Sequence, residues 1–347
     1  MLQDYILYKN DSLLDALKSI NKKGGKEALT LFVVDENNAL VGTLTDGDIR
    51  RGLINGLTLD CHVVDAAYLN FKYLRQGNID VNLIRQCKEE GIELLPIVDD
   101  EMHIVDAVNL KEQKSHLPID AVLMAGGKGV RLRPLTDTIP KPLLPVGRKP
   151  IIDYNIDRLM ENDIKHISVT VNYLHEQLEE HFAEPVNGVK VECVKEPQFL
   201  GTMGATQFVP KFYNDVVLVM NSDLFTNIDY EDFYLHFKEH NADMSVAAVP
   251  YSVTVPYGIF ELDGRNIKGV KEKPVYNYFA NAGIYLIKRE LLENMPKNKY
   301  YDATDLMNDA VTEGKSVIRY PITGYWLDIG NHEEYKKANE LVKHIKK

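Results

Sequence analysis

From Ile119 onward, short apolar runs alternate with segments whose apolar residues recur at every third or fourth position. The runs at 121–125, 166–172, 189–194, 216–221, 244–249, 258–262 and 282–287 read as strands. Helical spacing falls between several of them, at 152–161, 174–182, 230–240 and 303–313. That alternation predicts an α/β domain of three layers (αβα, Rossmann-like) around a mixed, mainly parallel sheet. Such sheets bind ligands at the carboxyl ends of their strands.

Upstream, the pattern repeats. Residues 33–49 and 97–113 align, with Val34 matching Val98, Asp35 matching Asp99 and Val41 matching Val105. Each copy is a short strand, an acidic turn and a second strand, which makes a hairpin. Helical patterns precede the copies, at 13–20 and 81–90. A polar stretch over 111–118 reads as a connector. The expected division is therefore a repeat domain over 1–116 and an α/β domain over 117–347.

Composition narrows the function. The net charge of −11 argues against nucleic acid as a partner, and the basic ending from Lys343 to Lys347 reads as a solvated helix end. No apolar run approaches the roughly 18 residues of a membrane span. The opening Met-Leu-Gln-Asp-Tyr lacks the basic start of a secretory leader. Cys61, Cys87 and Cys193 are scattered and odd in number, which favours a reduced, cytoplasmic setting.

The densest chemistry lies at 121–142. The apolar run from Val122 to Ala125 empties into Gly126, Gly127 and Gly129, with Lys128, Arg131, Arg133 and Lys141 following. Glycines let backbone N–H groups approach an anion, and the cations neutralise it, as a polyphosphate requires. The G-x-x-x-x-G-K-[ST] spacing of a phosphate-loop kinase is absent. Leu132 stands where a dinucleotide loop needs its third glycine. Gly126 and Gly127 alone could equally be a turn among solvated charges. At another strand end, Asn221-Ser222-Asp223 places an acid where a magnesium ion could be held, or where a turn or helix cap could form.

The whole string resembles the signature of the sugar-1-phosphate nucleotidyltransferases, G-G-x-G-x-R-L-x-P-x-T followed by P-K-P-L, the latter matched at Pro140 to Leu143. Asn221-Ser222-Asp223 resembles the family's N-G-D metal motif, with a serine in place of the glycine. Trp326-Leu327-Asp328-Ile329-Gly330 resembles its W-x-D-I-G segment. Leu200-Gly201-Thr202-Met203-Gly204-Ala205, Tyr257-Gly258, Glu272-Lys273-Pro274 and Asn281-Ala282-Gly283 continue the resemblance in the family's order over 119–336. The resemblance implies Arg131, Lys141, Asp223 and Lys273 as catalytic residues. It implies Ala125, Gly126, Gly127, Gly129, Gly201 and Thr202 as nucleotide contacts. Tyr257, Gly258, Glu272, Lys273 and Asn281 would meet the sugar phosphate, and Asp223 and Asp328 would hold Mg2+.

The first domain resembles a tandem pair of CBS motifs, modules that often bind adenine nucleotides between copies. Thr45 and Asp48 keep the ribose-phosphate pattern, whereas Asn109 and Glu112 stand at the equivalent places of the second copy. One adenine or guanine nucleotide effector is the expectation, with dimerisation alone as the alternative. At least a homo-dimer follows in either case.

The G-T-x-G-A form of the base loop resembles that of guanylyl- and cytidylyltransferases, which implies GTP, with CTP, UTP or dTTP and another sugar such as mannose 1-phosphate as the alternative. A CBS pair before this domain resembles enzymes making activated sugars for bacterial surface glycans, including those supplying GDP-glucosamine toward legionaminic acid. Glucosamine 1-phosphate or another hexose or hexosamine 1-phosphate is the implied acceptor. The β-helix of the acetyltransferase-fused relatives is not expected. A catalytically dead, CBS-based regulatory protein is the rival from another class.

Overall fold

The structure, a computed structural model, describes residues 2–23 and 27–344. The end of the basic tail, 345–347, lies outside the described residues. The chain divides into two compact units, residues 1–118 with 160–164 and residues 119–159 with 165–347.

The first unit holds two like halves. Strands β1 (Ile6–Tyr8), β2 (Thr30–Val34) and β3 (Leu40–Thr45) form one sheet, and β4 (Leu74–Arg75), β5 (Leu94–Val98) and β6 (Ile104–Asn109) form the other. In each, the first pair is parallel and the second antiparallel. Val34 pairs with Leu40 and Val98 with Ile104, each just after a register shift, so the sequence repeat is also a backbone repeat. Helices α1 (Leu13–Asn21) and α3 (Val81–Glu89) cover the two halves, burying Leu13, Ala16 and Ile20 in one and Val81, Ile84 and Cys87 in the other. The hairpin turns meet at an Ala39–His103 bridge. Helix α2 (Asp46–Ile54) follows β3.

The second unit is built on a seven-stranded sheet. In chain order its strands are β7 (Asp120–Met124), the short pair β8 (Pro145–Val146) and β9 (Lys149–Pro150), β10 (Ile167–Val171), β11 (Val191–Lys195), β12 (Val216–Asn221), β13 (Leu224–Thr226), β14 (Met244–Thr254), β15 (Ile259–Asp263), β16 (Asn266–Lys271), β17 (Val275–Lys288), β18 (Val317–Pro321) and β19 (Trp326–Asp328). The main sheet runs β11-β10-β7-β12-β17-β14-β18, and β17 alone is antiparallel to its neighbours. Its helices are α4 (Ile151–Glu161), α5 (His175–His181), α6 (Gly201–Gly204), α7 (Tyr230–Glu239), α8 (Arg289–Glu293), α9 (Ala303–Thr312) and α10 (His332–Leu341).

Because both faces of β12 are covered, Val216 to Met220 are all buried and the strand reads as a continuous apolar run. Val122, Val217, Val219 and Ile287 pack with Ala303 and Leu306 of α9 in the core. On α7 the apolar spacing buries Phe233 and Phe237, and Asp229 caps its first turn through the Asp232 amide at 3.0 Å.

Two expected strands differ in detail. The run at 258–262 pairs with β16 in a separate two-stranded sheet instead of joining the main one. The run at 282–287 is only the inner half of β17, whose outer half continues with β14 as an exposed ribbon from Pro250–Phe279 to Thr254–Val275.

Candidate active site

The glycine loop leaves β7 at the carboxyl edge of the sheet, and β12 delivers Asn221-Ser222-Asp223 to the same edge. Ser222 locks the two together. Its hydroxyl donates to the Met124 carbonyl at 2.7 Å, and the buried Asn155 amide donates to the Ser222 and Leu224 carbonyls at 3.2 and 3.0 Å. The serine that stands for the motif's glycine therefore contributes a bond that glycine could not make.

After Asp223 the chain turns into β13, which pairs antiparallel with β19 and sets Leu224 opposite Asp328. The Ile329 amide donates to the Asp223 carbonyl at 3.2 Å. Lys141 reaches both acids: its ammonium is ion-paired with Asp223 and stands 3.8 Å from Asp328. Burial and the neighbouring Asp223 raise the Asp328 carboxyl, against the opposing pull of Lys141 and Arg131. Trp326 holds β19 to β17, its indole N–H donating to the Ala282 carbonyl at 2.9 Å.

Two glycines are needed for their conformation. Gly129 has φ +59°, and a Cβ there would meet the Thr136 side chain at 2.9 Å and Lys141 Cβ at 3.2 Å. Gly201 has φ +80°, and a Cβ would fall 2.7 Å from an Asp302 carboxylate oxygen. That carboxylate accepts from the Thr202 amide at 3.0 Å, which fixes the turn at Gly201 against α9.

A cavity of about 330 Å3 opens here. Ala125, Gly126, Gly127, Gly129, Arg131, Lys141, Gly201, Thr202 and Asp223 line it. Asp328 joins through Lys141. The structure places the other named residues elsewhere. Tyr257, Gly258, Glu272, Lys273 and Asn281 stand outside that lining, on or beside the exposed ribbon. Tyr257 is 73% exposed, Lys273 sits in a left-handed turn at φ +44°, and Asn281 donates to the Tyr285 hydroxyl at 2.9 Å.

Two lining residues, Glu196 and Phe199, lie in none of the motifs read from the sequence. Glu196 lies one residue past β11, much as Asp223 lies two past β12, so the signal was present.

In the first unit, Thr45 and Asp48 form the capping box of α2. The Thr45 hydroxyl and backbone N–H donate to the Asp48 carboxylate at 2.6 and 2.9 Å, and Asp48 is ion-paired with Arg51. Both residues also line a cavity of about 560 Å3 within that unit.

The fold and cavity define a domain that sets a glycine-rich loop against a pair of acids. The family model of nucleotidyl transferases matches residues 120–344, and the chain belongs to that family. A CBS domain model matches residues 1–55. The chain is similar to the bifunctional protein GlmU of Methanocaldococcus jannaschii, at 30% identity over 232 residues, 65% of this chain and 54% of that one. It is similar to the mannose-1-phosphate guanylyltransferase catalytic subunit beta of Danio rerio, at 28% identity over 224 residues, 62% of each chain. It thus spans between half and two thirds of these relatives. The crystal structure of HddC from Yersinia pseudotuberculosis superposes with a TM-score of 0.51 at 26% identity, covering 65% of this chain and 99% of that one. Among the described residues, no helix is long and apolar enough to cross a membrane.

Proposed function

We propose that this protein transfers a guanylyl group from GTP to a hexose or hexosamine 1-phosphate such as glucosamine 1-phosphate, releasing pyrophosphate, for surface glycan synthesis in the cytoplasm. The observation that carries the reading is Lys141 held between Asp223 and Asp328 beside the glycine loop. Two carboxylates sharing one ammonium suit a hard divalent cation, which prefers carboxylate and phosphate oxygens. Bound there, Mg2+ would supply charge to the triphosphate oxygens.

The backbone amides of the loop and Arg131 bind the β- and γ-phosphates. Lys141 turns from the acids to the α-phosphate, where charge develops. Lys273, Glu272, Tyr257, Gly258 and Asn281 receive the sugar phosphate from the ribbon. A sugar phosphate oxygen attacks the α-phosphorus, the bond to the bridging oxygen of the β-phosphate breaks, and pyrophosphate leaves with the electron pair. The nucleophile is already anionic, so the protein's task is to position and screen two like-charged reactants.

The CBS pair takes one adenine or guanine nucleotide as an effector and joins two copies of the chain. The test is pyrophosphate release from GTP, CTP, UTP, dTTP and ATP against glucosamine, glucose and mannose 1-phosphates. Release with another triphosphate or with mannose 1-phosphate reassigns the substrates. No release with any pair leaves a regulatory protein with a dead transferase domain.

A further inference from the structure

The link from β12 to β13 is two residues long, Ser222 and Asp223, and it takes the chain from one sheet into another. Three consecutive carbonyls are held there. The Asp223 carbonyl accepts from the Ile329 amide at 3.2 Å. The carbonyls on either side of it, of Ser222 and Leu224, accept from a single side chain, Asn155, at 3.2 and 3.0 Å. Two carbonyls as partners settle which way that side chain faces, with its nitrogen toward the turn.

Asn155 is 1% exposed and stands on α4. The other buried residues of that helix are Ile151, Ile152, Ile156 and Leu159, so its apolar stripe is broken at this one position. A buried amide costs free energy unless its hydrogen bonds are met, and a fifth aliphatic residue would pack at no such cost. What the amide supplies is two N–H donors in one plane, without charge. A serine offers one donor and an aspartate none. A lysine or arginine would set a further cation beside Asp223, which already pairs with Lys141. Asn155 is not among the residues that line the active-site cavity, so it acts through the turn and not on a ligand.

We infer that Asn155 is a positioning residue for the metal site. It fixes the backbone on both sides of Asp223, and thereby the aim of the carboxylate at the cation that Asp223 and Asp328 would hold. The inference rests on the transferase reading above and adds a residue outside the cavity on which that site depends. Removing an outer residue of this kind changes metal affinity by about 10- to 100-fold.

Calorimetry on the full chain, without sugar phosphate, measures the affinity for GTP, ATP, CTP and UTP in Mg2+ and again in EDTA. For the triphosphate bound best, the ratio of the two affinities is the contribution of the metal. Asn155→Leu continues the apolar stripe and removes both donors. It should cut that ratio by about 10- to 100-fold, with the affinity in EDTA as in the wild type. Asn155→Gln returns two donors and should recover part of the ratio. A leucine variant with the wild-type ratio, whether or not both affinities fall, overturns the inference and leaves the transferase reading intact. A glutamine variant no better than the leucine variant does the same. A wild-type protein with equal affinity in Mg2+ and EDTA for every triphosphate overturns the metal reading of Asp223 and this inference together. Where circular dichroism shows that the leucine variant does not fold, Asn155→Ser decides: a reduced ratio upholds the inference, and the wild-type ratio overturns it.

Discussion

Asp223 and Asp328, far apart in the chain, come together because β13 and β19 pair antiparallel with Leu224 opposite Asp328 and the Ile329 amide on the Asp223 carbonyl. Lys141 then spans both. A turn of one residue in either strand would move Asp328 to the opposite face of the pair. The convergence is thus a property of register. Asp223→Asn and Asp328→Asn should each abolish magnesium-dependent pyrophosphate release while the fold persists. Full activity of either variant at low magnesium would remove that residue from the site.

Lys141→Ala should lower turnover by about 10²–10³, the size of losing one preorganised charge-stabilising group. A second effect is specific to this geometry. Without the ammonium, only Arg131 offsets the two neighbouring carboxylates, so the variant should melt lower than the wild type in EDTA. Added Mg2+ should restore more of its melting temperature than it adds to the wild type. Equal magnesium shifts in both proteins would contradict the shared-cation arrangement.

What the sequence made legible follows from burial. Val216 to Met220 are covered on both faces and announce a strand, and its end marked Asp223. The outer halves of β14 and β17 were illegible as strands of a ribbon, because Tyr251, Tyr276, Tyr278 and Phe279 lie exposed and no buried face imposes an alternation. Lys273 and Tyr257 were named through resemblance alone, and their place beside that ribbon is a tertiary fact. Glu196 escaped notice because an acid after a strand is most often a turn or cap residue. Only its burial with a partnerless oxygen distinguishes it.

Gly201→Ala should destabilise the second unit. The residue would hold φ +80° and press its methyl to 2.9 Å of the Tyr301 carbonyl as well as against Asp302. The backbone strain alone is worth about 1–3 kcal/mol. Relief by a shift of Asp302 would cost the Thr202 bond, so triphosphate affinity should fall together with the melting temperature. An unchanged melting temperature would show that the turn is not held as described.

Burial raises the Glu196 carboxyl to about 7. Glu196 has its folded value raised from 4.5, so its contribution is fully present below about 4.5 and lost as pH rises through 7. Glu196→Gln should thus stabilise the unliganded protein at pH 8, by at most about 3 kcal/mol less whatever solvent screening the cavity allows. An unchanged melting temperature for Glu196→Gln at pH 8 would contradict the burial of this carboxylate.

The cavity of the first unit constrains the proposed effector. Asp46, Asp48, Glu90 and Glu93 line it, against Arg51 and Lys72. Lys72 is ion-paired with Glu90 at 2.6 Å and Arg51 with Asp48, so no lining cation stands apart from an acid. Each phosphate added to a ligand enters an already acidic space, which favours a nucleoside monophosphate over a triphosphate. AMP or GMP should give binding heat with the full chain, and Asp48→Ala should abolish it by removing the acid that orients Arg51 and caps α2. Thr45→Ala should cost about 1 kcal/mol of cap stability and lower the melting temperature of the first unit. Saturating monophosphate should shift transferase activity or affinity by roughly 5- to 150-fold, the usual size of coupling between sites. If no monophosphate gives heat, or if the heat survives Asp48→Ala, this cavity is not the effector site and the unit is left to join copies of the chain.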